Sequence, residues 1–202
     1  MNTTSDAPRV EEDPTQGTAR RQRAIGEFVQ LDQAVYSAIA DTPTPTLDEP
    51  FRVLSNAANH SKLWVGFAAL IAASGGMRGR QAATVGLASI GVTSLIVNQG
   101  LKRLAPRTRP DRAGEDVSEE RYVRMPGSTS FPSGHSASAF AFAAGVAGFM
   151  PALSTPLNFL AASVAYSRVH TGVHYPGDVI VGSIVGAGIG RIVSSVAKHR
   201  LG

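Results

Sequence analysis

From residue 61 onward the chain alternates apolar and polar stretches. Five apolar segments fall at roughly 61–77, 81–101, 133–150, 153–169 and 178–197, separated by brief turns such as Met77-Arg78-Gly79-Arg80 and by one long polar loop. A helix needs about 20 residues to cross the hydrocarbon core of a bilayer, a length that the second and fifth segments reach and the first and fourth do not. Five such segments in succession predict an all-α integral membrane bundle of about five spanning helices. In the last one, Gly182, Gly186 and Gly190 recur every four residues. That spacing lets helix backbones approach closely in lipid, so these glycines are assigned to packing.

Upstream the pattern changes. Ile25, Phe28, Val29, Leu31, Val35, Tyr36 and Ile39 recur at steps of three and four, with Glu27 and Asp32 among them. This predicts an amphipathic helix that lies in the membrane interface or packs on the domain. The run DTPTPTLDEP from Asp41 to Pro50 breaks it, and a short helix is expected around Phe51 to Ala58. Residues 1–23 are polar, carry charges of both signs and contain no aromatic residue, which predicts a disordered tail. No apolar stretch follows Arg20, Arg21 and Arg23, so this is not read as a secretory signal peptide. The expected organisation is a tail (1–23), amphipathic helices with a linker (24–60) and a membrane domain (61–202).

Composition adds two constraints. The 202-residue chain is 43% hydrophobic, yet its mean hydropathy is only +0.02, because the polar front offsets the apolar back. It contains no cysteine, which excludes disulfides and thiol chemistry. If the segments alternate across a bilayer, the loops 102–132 and 168–177 share one face with the N-terminal region. That face carries 14 of the 19 Lys and Arg residues, against five (Arg78, Arg80, Arg191, Lys198, Arg200) on the other. The positive-inside tendency then leans slightly to a cytoplasmic position for those loops in a multi-pass cell-membrane protein, while a sixth, N-terminal span would allow the outer face.

The same loops hold the candidate chemistry. Lys102 to Pro110 reads KRLAPRTRP, Pro132 to His135 reads PSGH, and Ser167 to Asp178 reads SRVHTGVHYPGD. A loose phosphoryl-transfer transition state spreads negative charge over three equatorial oxygens, which Lys102, Arg109 and Arg168 could surround without a metal. Arg offers a planar fork to two oxygens at once, whereas Lys is a compact point charge. Ser133-Gly134 opens a helix-like run whose first backbone N–H groups would point at an anion. His174 precedes Asp178 by four residues. A carboxylate holding one imidazole nitrogen leaves the other free to attack phosphorus. His135 is then available as the general acid for the departing oxygen, with a phosphohistidine as intermediate. His170 has no place in this scheme and is read as structural or rim-lining, and Arg103 and Arg107 as outer charges.

In order and spacing the three stretches resemble the signature K-x6-RP, PSGH, SR-x5-H-x3-D of the type 2 phosphatidic acid phosphatase (PAP2) superfamily, which includes the vanadium haloperoxidases. Every defining position is filled between Lys102 and Asp178, and the apolar surroundings extend the likeness over roughly 60–197. The resemblance implies a membrane lipid phosphatase with His174 as nucleophile, Asp178 as its orienting partner and His135 as proton donor. Lys102, Arg109, Ser133, Gly134 and Arg168 would form the phosphate cradle. It also implies no metal or other cofactor, a lipid phosphate monoester or diphosphate as substrate, membrane lipids as surroundings and no nucleic-acid partner. Candidate substrates are phosphatidate, phosphatidylglycerophosphate, polyprenyl diphosphate and a polyprenyl-linked sugar phosphate, with selectivity assigned to Asp111–Ser130 and the N-terminal helices. Two other classes stay open. One is a vanadate-dependent haloperoxidase, against which five apolar segments in 202 residues argue. The other is a non-catalytic lipid-binding protein, which would not need His174 and Asp178 together.

Overall fold

The computed structural model describes residues 14–114 and 117–201. It runs through α1 (Pro14–Ala40), α2 (Pro45–Ala57), α3 (Lys62–Ser74), α4 (Gly76–Ser94), a π-helical continuation (Leu95–Leu101), the single turn α5 (Lys102–Leu104), α6 (Gly134–Ala147), α7 (Ser154–His170) and α8 (Pro176–Leu201). Short 3₁₀ turns lie at Asn59–Ser61, Glu119–Arg121 and Pro151–Leu153, and no strand occurs among the described residues.

All five apolar segments are helices, with α6 at the centre against α4, α7 and α8. Two of them are long and apolar enough to cross a membrane: Gly76–Leu104, with 29 residues, and Pro176–Arg200, with 25. At 1.5 Å per residue these reach about 44 and 38 Å. α3, α6 and α7 have 13, 14 and 17 residues. Their lengths, about 20 to 26 Å, fall short of a core about 30 Å thick. Of the five expected spans, the second and fifth segments are thus long helices, and the other three are shorter.

The packing explains the small-residue pattern. A Cβ on Gly182, Gly186 or Gly190 would lie 2.5, 2.0 and 2.4 Å from the carbonyl oxygens of Ser133, Ala137 and Ala141, so only glycine lets α8 lie this close to α6. On the opposite side of α8, Ile180, Ile184, Ile192 and Val196 point outward, as do Leu70 on α3, Leu87 and Val92 on α4, and Phe159 on α7. Inside, Trp64, Ile71, Ile90, Phe142, Val146, Leu157 and Val164 form the largest core cluster, filled out by alanines. Small residues within and branched aliphatics outside suit a lipid solvent, where close backbone contact rather than water exclusion holds helices together.

The N-terminal region departs from its pattern in three ways. α1 begins at Pro14, so residues 14–23, expected in the polar tail, are helical, while 1–13 lie outside the described residues. α2 begins at Pro45 rather than near Phe51, because Pro45 occupies the first helical position, where its missing N–H costs nothing. The buried side of α1 presents Asp32, Tyr36 and Ala40, whereas Ile25, Phe28, Leu31 and Val35 are exposed. A polar residue thus sits where the amphipathic pattern would put an apolar one.

The helices alternate in direction. The end of the long α4–α5 rod, the starts of α3 and α6 and the α7–α8 turn accordingly meet at one end of the bundle, where the polar loop from 105 to 131 folds over them.

Candidate active site

At that end a cavity of about 220 Å³ is lined by Ser94, Asn98 and Lys102 from the long rod, Arg109, Pro126 and Ser128 from the loop, and Gly134, His135 and Ser138 from α6. His174 and the segment Ala58, His60 and Ser61 complete the lining. Residues separated by over 110 positions are thus brought together. Lys102 Nζ donates to Ser128 Oγ (2.9 Å) and the Thr129 carbonyl (3.3 Å). Arg109 donates to the carbonyls of Ser128 (Nε, 3.0 Å) and Val173 (Nη1, 2.6 Å). Among the described residues, neither Lys102, Arg109 nor Arg168 has a carboxylate within salt-bridge range. Three cations held by neutral groups leave a net positive site suited to an anion.

His174 is 1% exposed. Its Nε2 lies 3.2 Å from Arg109 Nη1, and its Nδ1 lies 3.3 Å from Ser130 Oγ and 3.4 Å from Asp178 Oδ2. Arginine only donates, so Nε2 must be the acceptor, which assigns the ring proton to Nδ1 and the lone pair to the cavity side. Burial pushes the His174 pKa down to about 4; the charges of Arg109 and Arg168 add to this, and Asp178 opposes it. The imidazole is therefore neutral across the physiological range, as a nucleophile must be.

Asp178 is fully buried and fully engaged. Its Oδ2 accepts from Ser130 Oγ and from the backbone N–H of Tyr175 (3.0 Å), and its Oδ1 accepts from Arg107 Nη1 (2.9 Å). Ser130 and Arg107 are partners that the sequence reading did not assign to this pair; the only signal for Ser130 was its place just before PSGH. His135 Nε2 lies 3.0 Å from Asn59 Oδ1, and Asn59 Nδ2 donates to Asn56 Oδ1 (3.4 Å), which fixes the amide orientation and makes His135 Nε2 the donor. Asn59 carried no motif and went unnoticed.

Two expected cradle residues stand slightly apart. Ser133 is buried and caps α6, its Oγ accepting from Ser136 N (3.4 Å) and Ser136 Oγ (3.0 Å). Arg168 lies behind the cavity wall, Nη1 donating to Ser55 Oγ (2.6 Å) and Ser55 O (3.2 Å) while its buried Nε has no partner. Its charge still acts on His174. His170 joins a separate buried cluster: its Nε2 is 3.0 Å from Asp48 Oδ1, to which Arg121 Nε also donates (2.8 Å). Arg121 further donates to the carbonyls of Ile39, Ala40 and Thr42 and to Thr44 Oγ1, clamping the polar loop to the α1–α2 junction.

A cationic cavity at one end of an all-helical membrane bundle, with a buried, neutral histidine facing it, defines a membrane phosphatase. The chain belongs to the PAP2 superfamily, whose family model matches residues 82–201. It is 36% identical over 179 residues to decaprenylphosphoryl-5-phosphoribose phosphatase of Mycobacterium tuberculosis, a match covering 89% of this chain and 96% of that one. It is 32% identical over 113 residues to lipid A 4'-phosphatase of Bacteroides thetaiotaomicron, covering 52% of this chain and 48% of that one. Its fold is similar to the crystal structure of a transmembrane PAP2-type phosphatidylglycerolphosphate phosphatase from Bacillus subtilis, with a TM-score of 0.68 and 23% identity over 87% of this chain and 88% of that one. The protein is a metal-independent membrane lipid phosphatase.

Proposed function

We propose that this enzyme hydrolyses a polyprenyl-linked sugar phosphate through a phosphohistidine on His174. The observation that carries the mechanism is the convergence of Lys102, Arg109 and the His174 Nε2 lone pair on one cavity. A phosphate entering it would meet cations that have no carboxylate partner and would take over the Arg109 contact on Nε2. Nε2 then attacks phosphorus while the P–O bond to the alcohol breaks, and His135, entering the step as the imidazolium, gives its Nε2 proton to the departing oxygen and is left neutral. The phosphorylated ring carries positive charge, which Asp178 stabilises through the Nδ1 side. Water, giving a proton to His135, next attacks the phosphohistidine and releases inorganic phosphate with His174 restored. Lys102, Arg109 and the backbone at Gly134 hold the equatorial oxygens, with Ser133 capping that helix start and Arg168 adding its charge from behind the wall.

The substrate class rests on the mycobacterial relative, which matches this chain over nearly its whole length. It also rests on the polar side of the cavity, where His60, Ser61, Asn98 and Ser128 offer partners for sugar hydroxyls. Phosphate release should be measured on purified phosphatidate, phosphatidylglycerophosphate, polyprenyl diphosphate and a polyprenyl-linked sugar phosphate. The sugar phosphate should give the highest kcat/KM; a tenfold preference for phosphatidate would reject this assignment.

We read the bundle of residues 61–202 as crossing five times, with the amphipathic region 24–60 against the interface and the exposed Ile25, Phe28 and Leu31 of α1 turned to lipid. The excess of Lys and Arg at the active-site end supports a cytoplasmic face. Because the chain has no cysteine, single substitutions Ala113→Cys and Lys198→Cys give clean reporters. An impermeant maleimide added to intact cells should label only Lys198→Cys; labelling of Ala113→Cys alone would invert the topology.

A further inference from the structure

We propose that Asp32, on α1 and outside the stretch matched by the family model, is a positioning residue for the His174–Asp178 pair that acts through Arg107. The proposal rests on the phosphatase reading above. Asp32 is 5% exposed. Its Oδ2 accepts from Arg107 Nη1 at 2.7 Å, and its Oδ1 accepts from the backbone N–H of Gly177 at 2.6 Å. The same Arg107 nitrogen donates at 2.9 Å to Asp178 Oδ1. One cation therefore lies between two carboxylates, and the Arg107 Cζ sits 4.1 Å from the centroid of the Tyr175 ring. Gly177 makes this possible, since a Cβ there would lie 2.9 Å from Asp32 Oδ2.

Asp32 thus holds both the peptide before Asp178 and the guanidinium on Asp178's outer oxygen. The inner oxygen, Oδ2, is left to face Ser130 and His174. The charge count gives the reason. Attack on phosphorus places positive charge on the His174 ring, which Asp178 must stabilise. If Arg107 were balanced by Asp178 alone, the pair would be neutral and would stabilise that ring poorly. A second carboxylate on Arg107 restores one net negative charge next to the nucleophile. The other groups whose charges or hydrogen bonds face His174 are Arg109 and Ser130 from the loop, Arg168 from α7, and Lys102 and His135 across the cavity, none of which contacts Asp32. A helix that looks like a surface appendage is accordingly wired to the catalytic carboxylate.

The test compares wild type, Asp32→Asn, Asp32→Glu, Arg107→Met and the double variant Asp32→Asn/Arg107→Met, using lipid phosphate turnover and the His174 titration midpoint followed by NMR of histidine-labelled protein. Asp32→Asn keeps an oxygen for Gly177 and removes only the charge. Its kcat should fall about tenfold with KM little changed, and its midpoint should move down by about half a pH unit. Asp32→Glu should retain the wild-type midpoint, and the double variant should lose no more kcat than Arg107→Met alone. Wild-type kcat and midpoint in Asp32→Asn, or fully additive losses in the double variant, would overturn the proposal. If Asp32→Asn does not fold, Asp32→Glu decides: a wild-type midpoint with reduced kcat supports it, and a shifted midpoint or unchanged kcat rejects it. A wild-type enzyme inactive on every lipid phosphate would reject the phosphatase reading, while the midpoints would still decide the role of Asp32.

Discussion

Lowering the pH should expose the cost of keeping His174 neutral. Burial, reinforced by Arg109 and Arg168, holds its pKa at about 4 against 6.5 for an ordinary histidine. At 1.36 kcal/mol per unit this difference amounts to on the order of 3 kcal/mol. The unfolded chain accepts a proton below pH 6.5 and the folded one does not until about 4, so stability is complete above that window and falls as pH drops through it. About 2 kcal/mol of the loss should accrue between pH 7 and 5, which for a protein of this size lowers Tm by roughly 4 to 8 °C. The assay is thermal unfolding in detergent at both pH values for wild type and His174→Gln, the variant removing this contribution from the pH dependence. In parallel, NMR of histidine-labelled protein should show one resonance, absent in His174→Gln, that titrates near pH 4 rather than 6.5. A His174 signal titrating near 6.5, or an identical pH dependence of Tm in the two proteins, would refute the picture of a buried neutral nucleophile.

Three further outcomes follow. His135→Ala should cripple hydrolysis of an alkyl phosphate, whose leaving oxygen needs a proton, far more than that of p-nitrophenyl phosphate; Arg168→Ala should slow both alike, and an unchanged alkyl-to-aryl ratio of kcat/KM in His135→Ala would remove the general-acid role. Activity should survive EDTA, while vanadate should inhibit strongly as a mimic of the phosphoryl transition state on His174; magnesium-restorable loss on chelation would contradict this. Arg121→Met leaves the buried carboxylate of Asp48 without its cation and the carbonyls of Ala40 and Thr42 without their donor, so it should cost about 3 to 5 kcal/mol; a Tm within a degree or two of wild type would show that the clamp contributes little.

Helix positions were legible because lipid and backbone leave few alternatives. Apolar runs must be helical to satisfy their peptide groups, and glycines spaced by four can only mean close contact with a neighbour, found here in the backbone of α6. The residues that meet at the cavity were legible for a different reason: Lys102, Arg109, Gly134, His135 and His174 are the few side-chain and backbone types that phosphoryl transfer can use, and they sit in short, regular stretches. The burial of Asp32 on α1 was not legible, because period alone ranks it as a solvent residue. Its burial depends on Arg107 and Gly177, 75 and 145 positions away.

The residue types and local spacings by themselves determined the helical class, the membrane setting and the chemistry, since each follows from hydropathy or from what a phosphate demands. Only the tertiary structure decided how those groups are wired. It put Asn59 on His135, Ser130 and Arg107 on Asp178, Asp32 behind Arg107, and Asp48 between Arg121 and His170. These are hydrogen bonds and ion pairs between distant segments, made in a buried interior where every polar group needs a partner, and no local pattern in the chain states which partner it will be.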